Sequence, residues 1–192
     1  MKRNSVVFLL ALCPLIPVSS HFAYALLISG AFLFYFVSGI FFRFVISKIN
    51  PGSSSFYFEL AALAVSATFF YQFSAFFFPV LTVSLDIYYF LAAFSYVLLL
   101  SIDYYAVQGF SFLPVFRFIP ILLIFSLCRE LIGTGGISLP VMHGFWEIHL
   151  LPGFSVWGSG FWNTTAGSFI LLGFMTWIVK SCNRYLSGRD RT

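Results

Sequence analysis

Charge is what this chain has least of. Only 8% of its 192 residues are Asp, Glu, Lys or Arg, while 60% are hydrophobic and 22% aromatic. No soluble domain of this length has enough interior to hide that much apolar surface. The shortage excludes a soluble fold and makes the chain an integral membrane protein, surrounded by lipid. Basic tracts of the kind that bind nucleic acid are missing as well. The net charge of +4 comes mostly from Lys2, Arg3, Arg43, Lys48, Lys180, Arg184, Arg189 and Arg191. These flank apolar runs, as membrane orientation signals do, so no nucleic-acid partner is expected. Cysteine is scarce and odd in number. Cys13, Cys128 and Cys182 stand far apart, with no CxxC or Cys/His spacing for zinc and no pattern of a disulfide framework.

What the chain has is a succession of apolar runs. Six spans of ~20 residues consume roughly 120 positions, which leaves a single domain over residues 1–192. The first run, Val6 to Val18, is interrupted by Pro14 and Pro17, and each proline removes a backbone donor. Lipid tolerates such a break only where neighbouring protein or a cavity satisfies the freed polar groups. Its basic start is similar to a secretory signal, with Cys13 placed like a lipoprotein cysteine. Leu12 occupies the place where a small residue is wanted, however, and more membrane follows, so retention is expected.

The second span is read from Phe22 to Ile46, the third from Phe56 to Phe78 and the fourth from Leu85 to Ile102. The fifth runs from Leu113 to Leu131, with Arg117 between Pro114 and Pro120, and the last from Thr165 to Cys182. A long Gly-, Trp- and His-rich segment, Ile132 to Asn163, is read as a loop. With six spans, the flanking Lys and Arg residues put both termini in the cytoplasm and the 132–163 loop outside. Cys13–Ser19 is loosely echoed by Phe78–Ser84, which suggests two inverted three-helix repeats with the first and fourth spans broken. The expected fold is therefore an all-α six-span bundle.

The run Cys128-Arg129-Glu130-Leu131-Ile132-Gly133-Thr134-Gly135-Gly136 closes the fifth span. Read from residue chemistry alone, it is either a helix stop with an interfacial charge pair or, if the charges face the interior, a functional element. Arg129-Glu130-Leu131-Ile132-Gly133-Thr134-Gly135 resembles the R-E-[LI]-[LI]-G-x-G element of the Rnf/Nqr membrane-subunit family. The likeness is nearest to the Rnf E subunit and to the D subunit of the sodium-translocating NADH:quinone reductase. Leu12-Cys13-Pro14-Leu15 resembles that family's opening L-C-P-L, and Gly167-Ser168-Phe169-Ile170-Leu171-Leu172-Gly173 resembles the start of its final helix.

The resemblance implies a six-span subunit of an ion-translocating electron-transport complex in a bacterial inner membrane, not an enzyme alone. Beside it sits a homologous six-span sister subunit of inverted topology. In such pairs each sister gives two cysteines, from the first and fourth spans, to a two-iron, two-sulfur cluster. Cys13 falls on the first ligand position. The second should follow Phe77-Phe78-Pro79-Val80-Leu81-Thr82-Val83-Ser84, where this chain has Leu85. A cluster of this kind wants four thiolates, so the ligand set is incomplete unless Ser84 or Asp86 substitutes. Two other classes of function remain open on the sequence. One is a vitamin-transporter binding subunit, with Trp146, Trp157, Trp162, His143 and His149 as a lid. The other is a structural partner with no redox role. An interfacial aromatic belt is the simpler reading of those tryptophans.

Overall fold

Proline at the first position of a helix loses nothing, because that N–H has no intrahelical partner. Pro79 uses this place. A computed structural model describes residues 10–49, 54–104, 113–142, 144–150, 159–162 and 164–189. After a short helical turn the chain enters two 3-10 turns, Cys13–Leu15 and Pro17–Ser20. Then come α1 (Phe22–Ile49), α2 (Ser55–Phe77), α3 (Pro79–Tyr104) and α4 (Leu113–Thr134). An antiparallel hairpin follows, β1 (Gly136–Val141) and β2 (Gly144–His149), with Gly136 opposite His149. The short α5 (Ser159–Trp162) leads into α6 (Thr165–Arg189). Residues before Leu10, the loop around Gln108, His143, Trp157 and the end of the basic tail lie outside the described residues, as does the side chain of Cys182.

Three of the described helices are long and apolar enough to cross a membrane, over Phe22–Ile46, Ser55–Phe77 and Pro79–Leu98. α6 adds a shorter apolar stretch, Thr165–Ile178. Their outward surfaces are oily, with Phe76 81% and Val83 76% exposed. That is the pattern of a mostly helical membrane protein, in which lipid covers what water would not.

Side-chain contacts set the direction of each helix. α1 and α2 are antiparallel, because Arg43 near the end of α1 pairs with Glu59 near the start of α2 at 3.0 Å. α2 and α3 fold back on each other at Phe78, whose N–H donates to Ser74 O at 2.8 Å. Three hydroxyls fasten that corner: Ser74 Oγ bonds Thr82 Oγ1 at 3.0 Å and Tyr89 Oη at 2.5 Å. α1 and α3, both antiparallel to α2, therefore run parallel, and the Tyr35 hydroxyl of α1 donates to the carbonyl of Tyr89 at 3.2 Å between them. Buried hydroxyls in lipid need such partners. Between these helices lie Phe32, Tyr96, Phe118 and Phe125, with the Phe32 and Phe118 rings stacked 4.6 Å apart.

Three sequence expectations change. Phe78–Ser84 is not a break within a span; it is the corner before α3 and the opening of an unbroken helix, because Pro79 sits where its missing N–H costs nothing. The echo of Cys13–Ser19 therefore has no structural counterpart there. The 132–163 segment also holds a β-hairpin and α5 rather than irregular loop alone. Pro120, read as an interruption, lies inside a continuous α4.

Candidate functional site

Pro17 has no N–H to offer the Cys13 carbonyl, so that carbonyl instead takes a 3-10 bond from Ile16 N at 3.4 Å. His21 then turns extended, with φ −122 and ψ 138, and the helix stops. The carbonyls of Pro17 and Ser19 are left facing the bundle without helical donors, while Ile16 O keeps a 3-10 bond from Ser19 N at 3.2 Å. In an apolar interior each needs a partner.

Arg129 is that partner. It is 1% exposed, and its guanidinium donates from Nη1 to Ile16 O at 2.9 Å, Pro17 O at 3.3 Å and Ser19 Oγ at 3.1 Å. Its other nitrogens reach the far side of the junction, Nε to Trp162 O at 3.1 Å and Nη2 to Thr164 O at 3.3 Å. One rigid fork thus ties the broken first segment to the start of α6. A lysine, with a single compact charge, has no geometry for this. Ser126, one turn earlier on α4, donates to Ser19 O at 3.0 Å.

Glu130 points elsewhere, as adjacent positions on a helix must. It is 2% exposed. Its Oε2 accepts the N–H of Phe22 at 2.8 Å, and its Oε1 accepts the N–H of Ser138 at 2.9 Å. His21 Nδ1 lies 3.6 Å from Oε1, too long for a hydrogen bond but close enough for ionic attraction if the ring is protonated. Ala23 N donates to Ser138 Oγ at 3.3 Å, while Tyr24 and Ala25 both donate to His21 O. Every orphan N–H at the start of α1 is satisfied, and the carboxylate lies where the helix dipole favours an anion. Of the two readings of this charge pair, mutual neutralisation or partnering of neighbouring elements, the contacts follow the second. Carbonyls surround the cation, and N–H groups surround the anion.

The glycines do local work. Gly135 has φ 66, the left-handed turn that ends α4, and its carbonyl accepts Leu150 N at 3.0 Å to close the hairpin base. Gly133 is buried in the last turn of α4. At Gly167 a methyl group would strike the carbonyl of Phe161 and come within 2.9 Å of Trp162 Cα, so only glycine lets α6 start against α5. Thr164 caps α6 through Oγ1, which accepts Gly167 N at 3.2 Å.

Cys13 is half-buried in the first 3-10 turn, and α3 lies against that turn. Cys128 is half-buried and unpaired. Leu85 is fully buried in the same apolar cluster as Leu12 and Leu15, whereas Ser84 and Asp86 are exposed on either side of it. Neither flanking oxygen shares Leu85's inward direction. Among the described residues no group of three or more His, Cys, Asp and Glu side chains could hold a metal. Among the described residues, the position where the resemblance wants a second thiolate is filled by the buried Leu85 side chain. Trp146 and His149 on β2 are exposed, and Trp162 is half-buried beside Arg129.

Arg129, Glu130, Gly133 and Gly135 were legible as a motif. Ser19, His21, Ser126, Ser138 and Thr164 were not, because single serines and a histidine in apolar runs carry no spacing signal. No family model matches the sequence. An uncharacterized protein of Treponema pallidum (strain Nichols) is 32% identical over 193 residues, covering 100% of this chain and 94% of that protein. At that identity and coverage, the chain belongs to the same family as the Treponema pallidum protein.

Proposed function

We propose that this chain is a divergent membrane subunit of an Rnf/Nqr-type ion-translocating electron-transport complex, paired in a bacterial inner membrane with a homologous six-span sister. One observation carries the reading. The three stretches that resemble the family lie far apart in sequence, yet they meet around one side chain. Arg129 of the R-E motif bonds Ile16 and Pro17, just after the L-C-P-L stretch, and Thr164, which caps the helix bearing the G-S-F stretch. Chance resemblances in unrelated positions have no reason to converge.

The proposal includes six spans with both termini cytoplasmic. In favour of it, the Lys48 end of α1 lies opposite the end that carries Glu130 and the hairpin. Because Leu85 stands where the second thiolate of this chain would be, no electron-transfer step is assigned to its residues, and its role is to hold and complete a partner.

Purification of the full chain in mild detergent tests this. A second six-span protein should accompany it, and other subunits of the same complex should follow. Recovery of a well-behaved monomer with bound vitamin would sink the proposal in favour of a transporter. Iron analysis of the purified complex separates the cofactor question. If Cys13 is a surviving ligand, Cys13→Ser bleaches the visible absorption while Cys128→Ser leaves it intact.

A further inference from the structure

Asp86 has no ionic or hydrogen-bonding partner among the described residues, yet it sits in a membrane-spanning helix. It lies seven residues into the Pro79–Leu98 stretch, whose length matches a hydrocarbon slab of about 30 Å, so it falls about 10 Å along that stretch. It is exposed, on the same stripe of α3 as Val83 (76% exposed), Ile87 (69%) and Phe90 (47%). An aspartate side chain is too short to reach water from that depth, and a carboxylate facing acyl chains there is strongly disfavoured. Intramembrane carboxylates persist where another protein group meets them.

The chain's own described cations are elsewhere. Arg129 is occupied by carbonyls, Arg43 pairs with Glu59, Lys48 lies at the far end of α1, and the exposed Lys180 lies about 22 Å along α6 from the end that meets Arg129. Arg117 is exposed, but it lies about 6 Å from the start of α4. α4 runs antiparallel to α3, since Glu130 at its end meets the start of α1, which is parallel to α3. Asp86 and Arg117 therefore sit near opposite membrane faces. A second copy in the same orientation brings none of Arg117, Lys48 and Lys180 to the depth of Asp86, and a symmetric contact through this face would set Asp86 against Asp86.

From this geometry we infer that the Val83–Asp86–Ile87–Phe90 stripe of α3 is the docking face for a transmembrane segment of a different protein. That segment presents a lysine or arginine about 10 Å inside the membrane edge nearest the hairpin. The surface requires only a membrane partner; it does not depend on whether that partner carries electrons, so it can hold even if the redox reading fails.

The test uses full-length chain in its native membranes, with the photoreactive residue benzoyl-phenylalanine at Ile87 or, as control, at Val65 on α2. The expected result is one cross-linked protein from position 87 and not from 65, joined through a transmembrane peptide that contains Lys or Arg. Asp86→Asn should lower that product about tenfold or more, and Asp86→Glu should retain it. A dicyclohexylcarbodiimide probe should modify Asp86 less in membranes than in detergent-separated chain. Cross-links to lipid, to a second copy or to the chain's own N-terminal residues would overturn the inference. So would a partner peptide without a basic residue, a product indifferent to Asp86→Asn, or equal carbodiimide modification in both states. A matched elution profile of the Asn variant keeps a folding defect from imitating the result.

Discussion

Replacing Arg129 with methionine keeps the apolar stem and deletes the fork. Two of its acceptors retain other donors: Ile16 O still receives Ser19 Oγ at 2.7 Å, and Thr164 O still receives Ser168 Oγ at 2.8 Å. Pro17 O and Trp162 O have no other donor among the described bonds. Each buried carbonyl left without a partner costs about 1–3 kcal/mol. Relief from burying the guanidinium offsets part of this, so a net loss of about 3 kcal/mol is expected. For a chain of this size, that corresponds to a fall in Tm of roughly 6–12 °C. Fluorescence-detected size-exclusion thermal shift in detergent measures it, with Arg117→Met as the exposed comparison. Arg129→Lys should recover less than half of the loss, because a lysine cannot bond both the 16–19 turn and the 162–164 junction. Unchanged stability in Arg129→Met would refute the idea that the cation holds the broken segment.

Glu130→Gln leaves one acceptor oxygen for two N–H groups, so about 1–3 kcal/mol should be lost. Amide exchange should quicken at Phe22 or Ser138, and exchange at native rates would argue against the carboxylate as cap. Gly167→Ala should destabilise by about 1–3 kcal/mol through its clash with Phe161 and Trp162. Gly173→Ala, with nothing within 4 Å of its added methyl, should be neutral or stabilising by up to about 1 kcal/mol; the reverse order in a thermal melt would contradict the packing described. A membrane-impermeant maleimide should label a cysteine at Leu150 from the side opposite one at Lys48. Labelling of both from one face would refute the arrangement of α1 and the hairpin.

Composition was enough to decide the solvent. A chain with 8% charge and 60% apolar residues has no stable arrangement in water, and its apolar runs located α1, α2, α4 and α6 to within a few residues at their starts. Hydropathy does this because burial in lipid depends on each segment's own side chains. The end of a helix is less local. The fourth span is read from Leu85, and only the corner at Phe78 shows Pro79 opening the helix six residues earlier. The hairpin escaped notice because its strands are short and pair only with each other.

The candidate site divides the same way. Arg129 and Glu130 announced themselves as the rare charges at the end of an apolar run. Their separate tasks depended on which backbone groups Pro14, Pro17 and the start of α1 had left unpaired, and on what lay within reach across more than a hundred positions of sequence. Ser19, Ser138 and Thr164 gain meaning only from that juxtaposition. Sequence alone determined that the chain lives in a membrane and where its charges are exceptional. Tertiary structure decided which charge meets which orphaned backbone group, because hydrogen-bond satisfaction in an apolar interior depends on spatial neighbours and not on spacing along the chain.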